Sequence, residues 1–217
     1  MFQGLHPRTV TQIPEPPIAK FLLADTRIAW LWLIIRLSVG YQWLSAGWEK
    51  LTGYSLFGEA QKGGAWVFNA QAGAAMKGFA THALTLASGE HSSVQSWYAW
   101  FLQNFVIPNA TVFAYMITFG EVLVGLGLIV GCLTGIAAFF GLVMNLNFML
   151  AGTVSINPII GTLAIFLVLA WRIAGYYGID RYLLPLLGTP WTGSLVRKQE
   201  VQPALNSSCA GEISERS

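Results

Sequence analysis

Three ionisable side chains fall inside stretches too apolar to hold a charge without a partner. Glu121 lies near the middle of Ala110–Val130, ATVFAYMITFGEVLVGLGLIV. Arg36 lies in residues 28–48 and Arg172 towards the end of residues 159–177. A stretch of roughly 20 apolar residues crosses a bilayer core at about 1.5 Å each, and a charge at its centre costs roughly 2.5–3.5 kcal/mol on insertion scales. With both termini on one side of the membrane, Arg36 is eight residues and Glu121 about nine from the inner ends of their spans. Arg172 is a turn nearer the cytoplasm. Two guanidiniums around one carboxylate would hold it ionised through charge-assisted hydrogen bonds. Such a cluster serves either as a lock on helix order or as an anion or quinone-headgroup site that uses the spare positive charge.

Other groups are weaker pointers. Asn145 and Asn147 lie two apart in the third apolar stretch and face different sides, so either can act as interhelical glue. His82 and His91 sit nine apart with no ligand spacing, and a proton-transfer role suits them better than a metal or haem. Cys132 and Cys209 form no CxxC pair, which argues against thiol–disulfide chemistry and thiolate-bound metal. No metal is expected. The chain has no dinucleotide-binding glycine pattern, P-loop or HExxH. The glycines of 125–131 lie inside a span and read as a packing face.

The elements that must position these groups are helical and membrane-embedded. Of 217 residues 54% are hydrophobic and 10% charged, with mean hydropathy +0.55, against about 25% charged in soluble domains. A net charge of +2 gives no reason to expect nucleic acid as a partner. The first 20 residues, with four prolines, lack the apolar core of a signal peptide.

Residues 1–27 read as a cytoplasmic arm with a short amphipathic piece at 18–24. Residues 28–187 read as the membrane domain, with spans at 28–48, Ala110–Val130, 135–151 and 159–177. Thr134 is placed to cap the third span and Pro158 to start the fourth. Residues 51–108 form a long, partly helical extracytoplasmic insertion, too rich in aromatics for a loose linker. Residues 188–217 read as a flexible cytoplasmic tail. The fold class is therefore an all-α integral membrane protein. It is a four-helix transmembrane bundle with a large insertion after its first helix. Lys20, Arg27, Arg181, Arg197 and Lys198 put both termini in the cytoplasm.

RLSVGYQWLSAGWEKLTG at 36–53 resembles the opening motif of the DoxX/DoxD membrane family, with its arginine, glycines and lysine at the helix exit. The segment 120–152, the Asn157–Pro158 pair and the ending at Gly178, Asp180 and Arg181 are similar to the DoxD branch. The resemblance covers 28–187. It implies four helices in the cytoplasmic membrane and the large subunit of a thiosulfate:quinone oxidoreductase, which oxidises thiosulfate to tetrathionate and passes the electrons to quinone.

Thiosulfate is a dianion, so an outward site would use Lys50, Lys77 and His82, with Asn147 or Asn157 as neutral donors. Quinone, the electron acceptor, would bind near Trp43, Trp48 or the cluster of Arg36, Glu121 and Arg172. The expected partners are membrane lipid, a small DoxA-like subunit or a larger redox complex, and a second copy of the chain. The alternative is a non-catalytic membrane anchor or accessory subunit of a respiratory or redox assembly. Small-molecule transport is a third reading, weakened by few spans and no visible repeat.

Overall fold

The computed structural model describes residues 16–61, 64–88 and 92–187. The tail at 188–217 and most of the N-terminal arm lie outside the described residues, as do His91 and Cys209. The described residues are all-α, apart from one isolated bridge between Tyr54 and Ala60. Helix α1 (Pro17–Ala24) lies at the start and exposes Ile18, Phe21 and Leu22. Helix α2 (Ala29–Thr52) ends where Gly53 turns left-handed at φ 80° and donates to the Glu49 carbonyl. Helices α3 (Ala74–Thr85) and α4 (Ser96–Phe101) belong to the insertion, and α4 continues as a π-helix over Leu102–Val106.

Helix α5 (Ala110–Val130) has the expected bounds and closes at Gly131, φ 70°. Helix α6 (Thr134–Leu150) follows a tight turn. Helix α7 (Asn157–Leu169) has proline in its first turn, as expected. The fourth apolar stretch is not one helix. It breaks at Ala170, and Arg172 falls on the short α8 (Trp171–Ala174), ahead of α9 (Asp180–Leu186).

By length and apolarity α5 meets the requirement for crossing a membrane; α6 and α7 are apolar but shorter, at 17 and 13 residues. The outward stripe of α5 (Val112, Met116, Phe119, Leu123, Leu126 and Val130) is wholly apolar. Ile136, Phe139, Phe140 and Leu146 continue it on α6. An exposed apolar surface of this extent is foreign to monomeric soluble proteins and fits a lipid environment.

Two packed cores lie end to end. One joins α2, α5, α6 and α7 through Trp32, Val39, Trp43, Leu128, Ala138 and Leu167. The other seats the insertion on the first turns of α5 through Met76, Tyr98, Leu102, Val106 and Ala114. The insertion is folded, and Gly73 meets the Thr111 backbone so closely that a Cβ there would stand 2.6 Å from its nitrogen.

The main seam is between antiparallel α2 and α5. The flat patches at Gly40 and Gly47 take α5: a Cβ on Gly47 would stand 2.7 Å from Val122 N, and one on Gly40 3.0 Å from Leu128 Cβ. Gly125 answers from α5, 2.5 Å by the same measure from Leu44 N. Small residues let the backbones approach where lipid gives no hydrophobic drive for association.

Candidate functional site

This seam fixes which charges meet. Gly47 lies against Val122 and the Glu121 backbone, so Lys50, one turn further along α2, arrives level with the Glu121 side chain. Lys50 Nζ donates to Glu121 Oε2 at 2.7 Å and Oε1 at 3.0 Å, and to the Ala46 carbonyl at 3.5 Å. Glu121 is 1% exposed and the Lys50 side chain 18%. The ammonium lies 5.2 Å from the Trp66 ring centre and 6.0 Å from that of Phe148. The insertion roofs the pair, since Trp66 N donates to the Lys50 carbonyl at 2.7 Å.

Two further donors are buried on these helices. Thr118 sits one turn before Glu121, and Trp43 is stacked on Phe148 with ring centres 6.4 Å apart. Neither Thr118 Oγ1 nor Trp43 Nε1 has a partner within the protein. A bidentate ion pair on helices that carry two such donors has the groups to bind a polar ligand and move a proton to or from it.

The expected grouping of Arg36 and Arg172 around Glu121 does not form. Arg36 is buried at the other end of α5, where Gly131 and Gly178 both lie against its guanidinium and leave no room for a side chain. Its Nη2 donates to the Tyr177 carbonyl at 3.4 Å, while Nε and Nη1 have no protein acceptor. Arg172 is exposed on α8, 5.9 Å from the Trp171 ring centre. Equal depth at the inner ends was the faulty premise, because α2 begins about two turns beyond the end of α5.

Asp180 shares the Arg36 end. It accepts from Leu133 N at 2.5 Å and Thr134 N at 2.8 Å, so it caps α6 from a distant part of the chain. The Thr134 hydroxyl, expected as that cap, is buried without a partner.

The proposed anion ligands are dispersed. Lys50 is engaged by Glu121, and Lys77 and His82 are exposed on α3 while Met76, Ala80 and Ala83 bury its inner face. Asn157 Nδ2 donates to the Thr153 carbonyl at 2.8 Å, and its Oδ1 accepts from Asn145 at 3.4 Å. Trp43 is buried two turns before Lys50 on α2, stacked on Phe148; Trp48 is 40% exposed on the outer face of α2.

Asn147 sits at the rim of an apolar groove of about 680 Å³ between α5, α6 and the insertion. There the Tyr98 hydroxyl donates to the Asn147 carbonyl at 3.0 Å and lies 3.3 Å from its Oδ1. Burial pushes that hydroxyl up to about 12, so it stays protonated. Sequence reasoning missed Tyr98, Thr118, Trp66 and Phe148 as site residues. The glycines of α2 and α5, set against each other, carried the signal for Lys50 with Glu121. Among the described residues no group of three or more His, Cys, Asp or Glu could hold a metal ion.

The described residues form an all-α fold with one helix long and apolar enough to cross a membrane and a carboxylate–ammonium pair buried against it. The DoxX family model matches residues 31–155, more than half of the chain, and the protein belongs to the DoxX family. The match includes Arg36, Lys50, Glu121 and Asn147, and stops before Asn157, Arg172 and Asp180. No curated protein and no solved structure gave a match.

Proposed function

We propose that this DoxX protein is the membrane subunit of a quinone-linked oxidoreductase, with the Lys50–Glu121 pair as its proton-handling centre. One observation carries the reading: an ion pair buried between apolar helices that also bury the unpartnered donors of Trp43 and Thr118. Burying a charge pair rarely raises stability over an apolar core of the same shape, and intramembrane ionisable groups more often mark function.

On this reading α2, α5, α6 and α7 with α8 are four spans of a cytoplasmic-membrane protein with both termini inside, and the 51–108 insertion lies outside. Similarity to the DoxD branch supplies the substrates. Two thiosulfates join through a new S–S bond as tetrathionate and release two electrons, and quinone takes those electrons with two protons to become quinol. Glu121 passes the protons, relayed by Lys50. Arg36 and Arg172 support the helix ends rather than the reaction.

A second reading, a non-catalytic anchor or accessory subunit, draws on the dispersal of Lys50, Lys77 and His82, which leaves the dianion to a partner such as a DoxA-like subunit. The test is quinone reduction on adding thiosulfate to the protein in lipid nanodiscs, alone and with its co-purifying partners. Turnover lost in Glu121→Gln protein that still folds supports the first reading. Wild-type protein that binds no quinone and reduces none in either preparation overturns it.

A further inference from the structure

The groove along α5 and α6 is chemically different at its two ends. At the insertion end its walls are aromatic: Tyr98 and Phe101 have ring centres 5.7 Å apart, and Phe79 meets Phe148 edge-on at 6.1 Å. The polar groups there are neutral, namely the Tyr98 hydroxyl and the Asn147 amide. Asn147 Nδ2 spends one hydrogen on the Val143 carbonyl at 2.8 Å, which leaves its second N–H to donate. The remainder of the groove is aliphatic, through Met116, Leu123, Ile136 and Val143, and reaches Cys132 and Leu133. From Asn147 to Leu133 along α6 is about 21 Å at 1.5 Å per residue.

We propose that this groove seats a membrane quinone, with its ring between the aromatic walls, a ring carbonyl accepting from Asn147 Nδ2, and its isoprenoid chain running between α5 and α6. The placement rests on the quinone-linked reading above. A flat, neutral, hydrogen-bond-accepting ring matches the mouth, whereas a phospholipid phosphate would meet no cation among the groove-lining residues. The length is more than a ring needs and suits a chain. Phe148 forms part of the wall and also lies 6.0 Å from Lys50 Nζ, so the ring sits one side chain away from the buried ion pair.

The test is equilibrium binding of a radiolabelled decyl-chain benzoquinone and a chainless benzoquinone to the full chain in nanodiscs. Val143→Trp, or Leu123→Trp from the facing wall, fills the aliphatic part at exposed positions. Either should weaken the decyl quinone about tenfold, roughly 1.4 kcal/mol, and leave the chainless ring nearly unchanged. Asn147→Leu should weaken both about fivefold, the loss of one neutral hydrogen bond. Decyl-quinone binding unchanged in both tryptophan variants, or equal displacement by 1-decanol, overturns the groove assignment while quinone binding itself stands. Wild-type protein that binds neither quinone overturns both.

Discussion

Replacing Glu121 by Gln isolates the buried charge while keeping shape and most hydrogen-bonding capacity. In the folded protein it leaves the Lys50 ammonium facing a neutral amide, held by the Ala46 carbonyl and the rings of Trp66 and Phe148. Breaking a buried pair by removing one partner costs roughly 3–5 kcal/mol. Lys50 retains 18% side-chain exposure and can turn partly to water, which places the loss at the lower end, about 3 kcal/mol.

Lys50→Met in the same protein removes the orphaned cation and should restore stability, with a coupling of about 2 kcal/mol. Arg36→Gln should not. Arg36 meets α5 at Gly131, ten residues or about 15 Å along the helix from Glu121, so the two changes should add within about 0.5 kcal/mol. Denaturant unfolding in detergent for the singles and both doubles gives the cycle, and quinone turnover is read on the same preparations. An unchanged Glu121→Gln stability, or rescue by Arg36→Gln in place of Lys50→Met, would refute the pairing.

Other outcomes test the packing, the capping and the orientation. Gly125→Ala presses a methyl onto the Leu44 backbone and should cost about 1–3 kcal/mol; Gly78→Ala, with nothing within 4 Å of its Cβ, should be neutral or gain up to about 1 kcal/mol. Asp180→Ala strips the cap from Leu133 and Thr134, and should cost about 1 kcal/mol and speed hydrogen exchange at those two amides. The Tyr98 hydroxyl is raised from 10.0 to about 12. The folded protein therefore keeps a proton that the unfolded chain releases, and thermal stability should fall as pH climbs from about 10 to about 12, a slope that Tyr98→Phe removes. Cysteines at Ser93 and Tyr182 should label from opposite faces of sealed vesicles, and labelling from one face would defeat the four-span topology.

The amino-acid sequence by itself determined the class of fold and several element boundaries. Its apolar content pointed to a membrane-associated all-α chain, Pro158 and Gly131 punctuated the helices, and α5 runs over the stretch its composition marks. It also required that Glu121 be partnered, because desolvating a lone carboxylate is too costly whatever surrounds it.

Which cation answered was decided only by tertiary structure. Pairing between two helices depends on their axial offset, and the offset is set where one backbone fits against the other: Gly47 at Val122, Leu44 at Gly125, Gly40 at Leu128. That register places Lys50, at the far end of α2, beside Glu121 and carries Arg36 past the end of α5 to Gly131 and Gly178. The cap on α6 is likewise non-local, since Asp180 lies 46 residues beyond Thr134. The groove has the same origin. Tyr98 and Asn147 are 49 residues apart, and only the packing of the insertion onto α5 and α6 brings a hydroxyl, an amide and a wall of aromatic rings to one mouth.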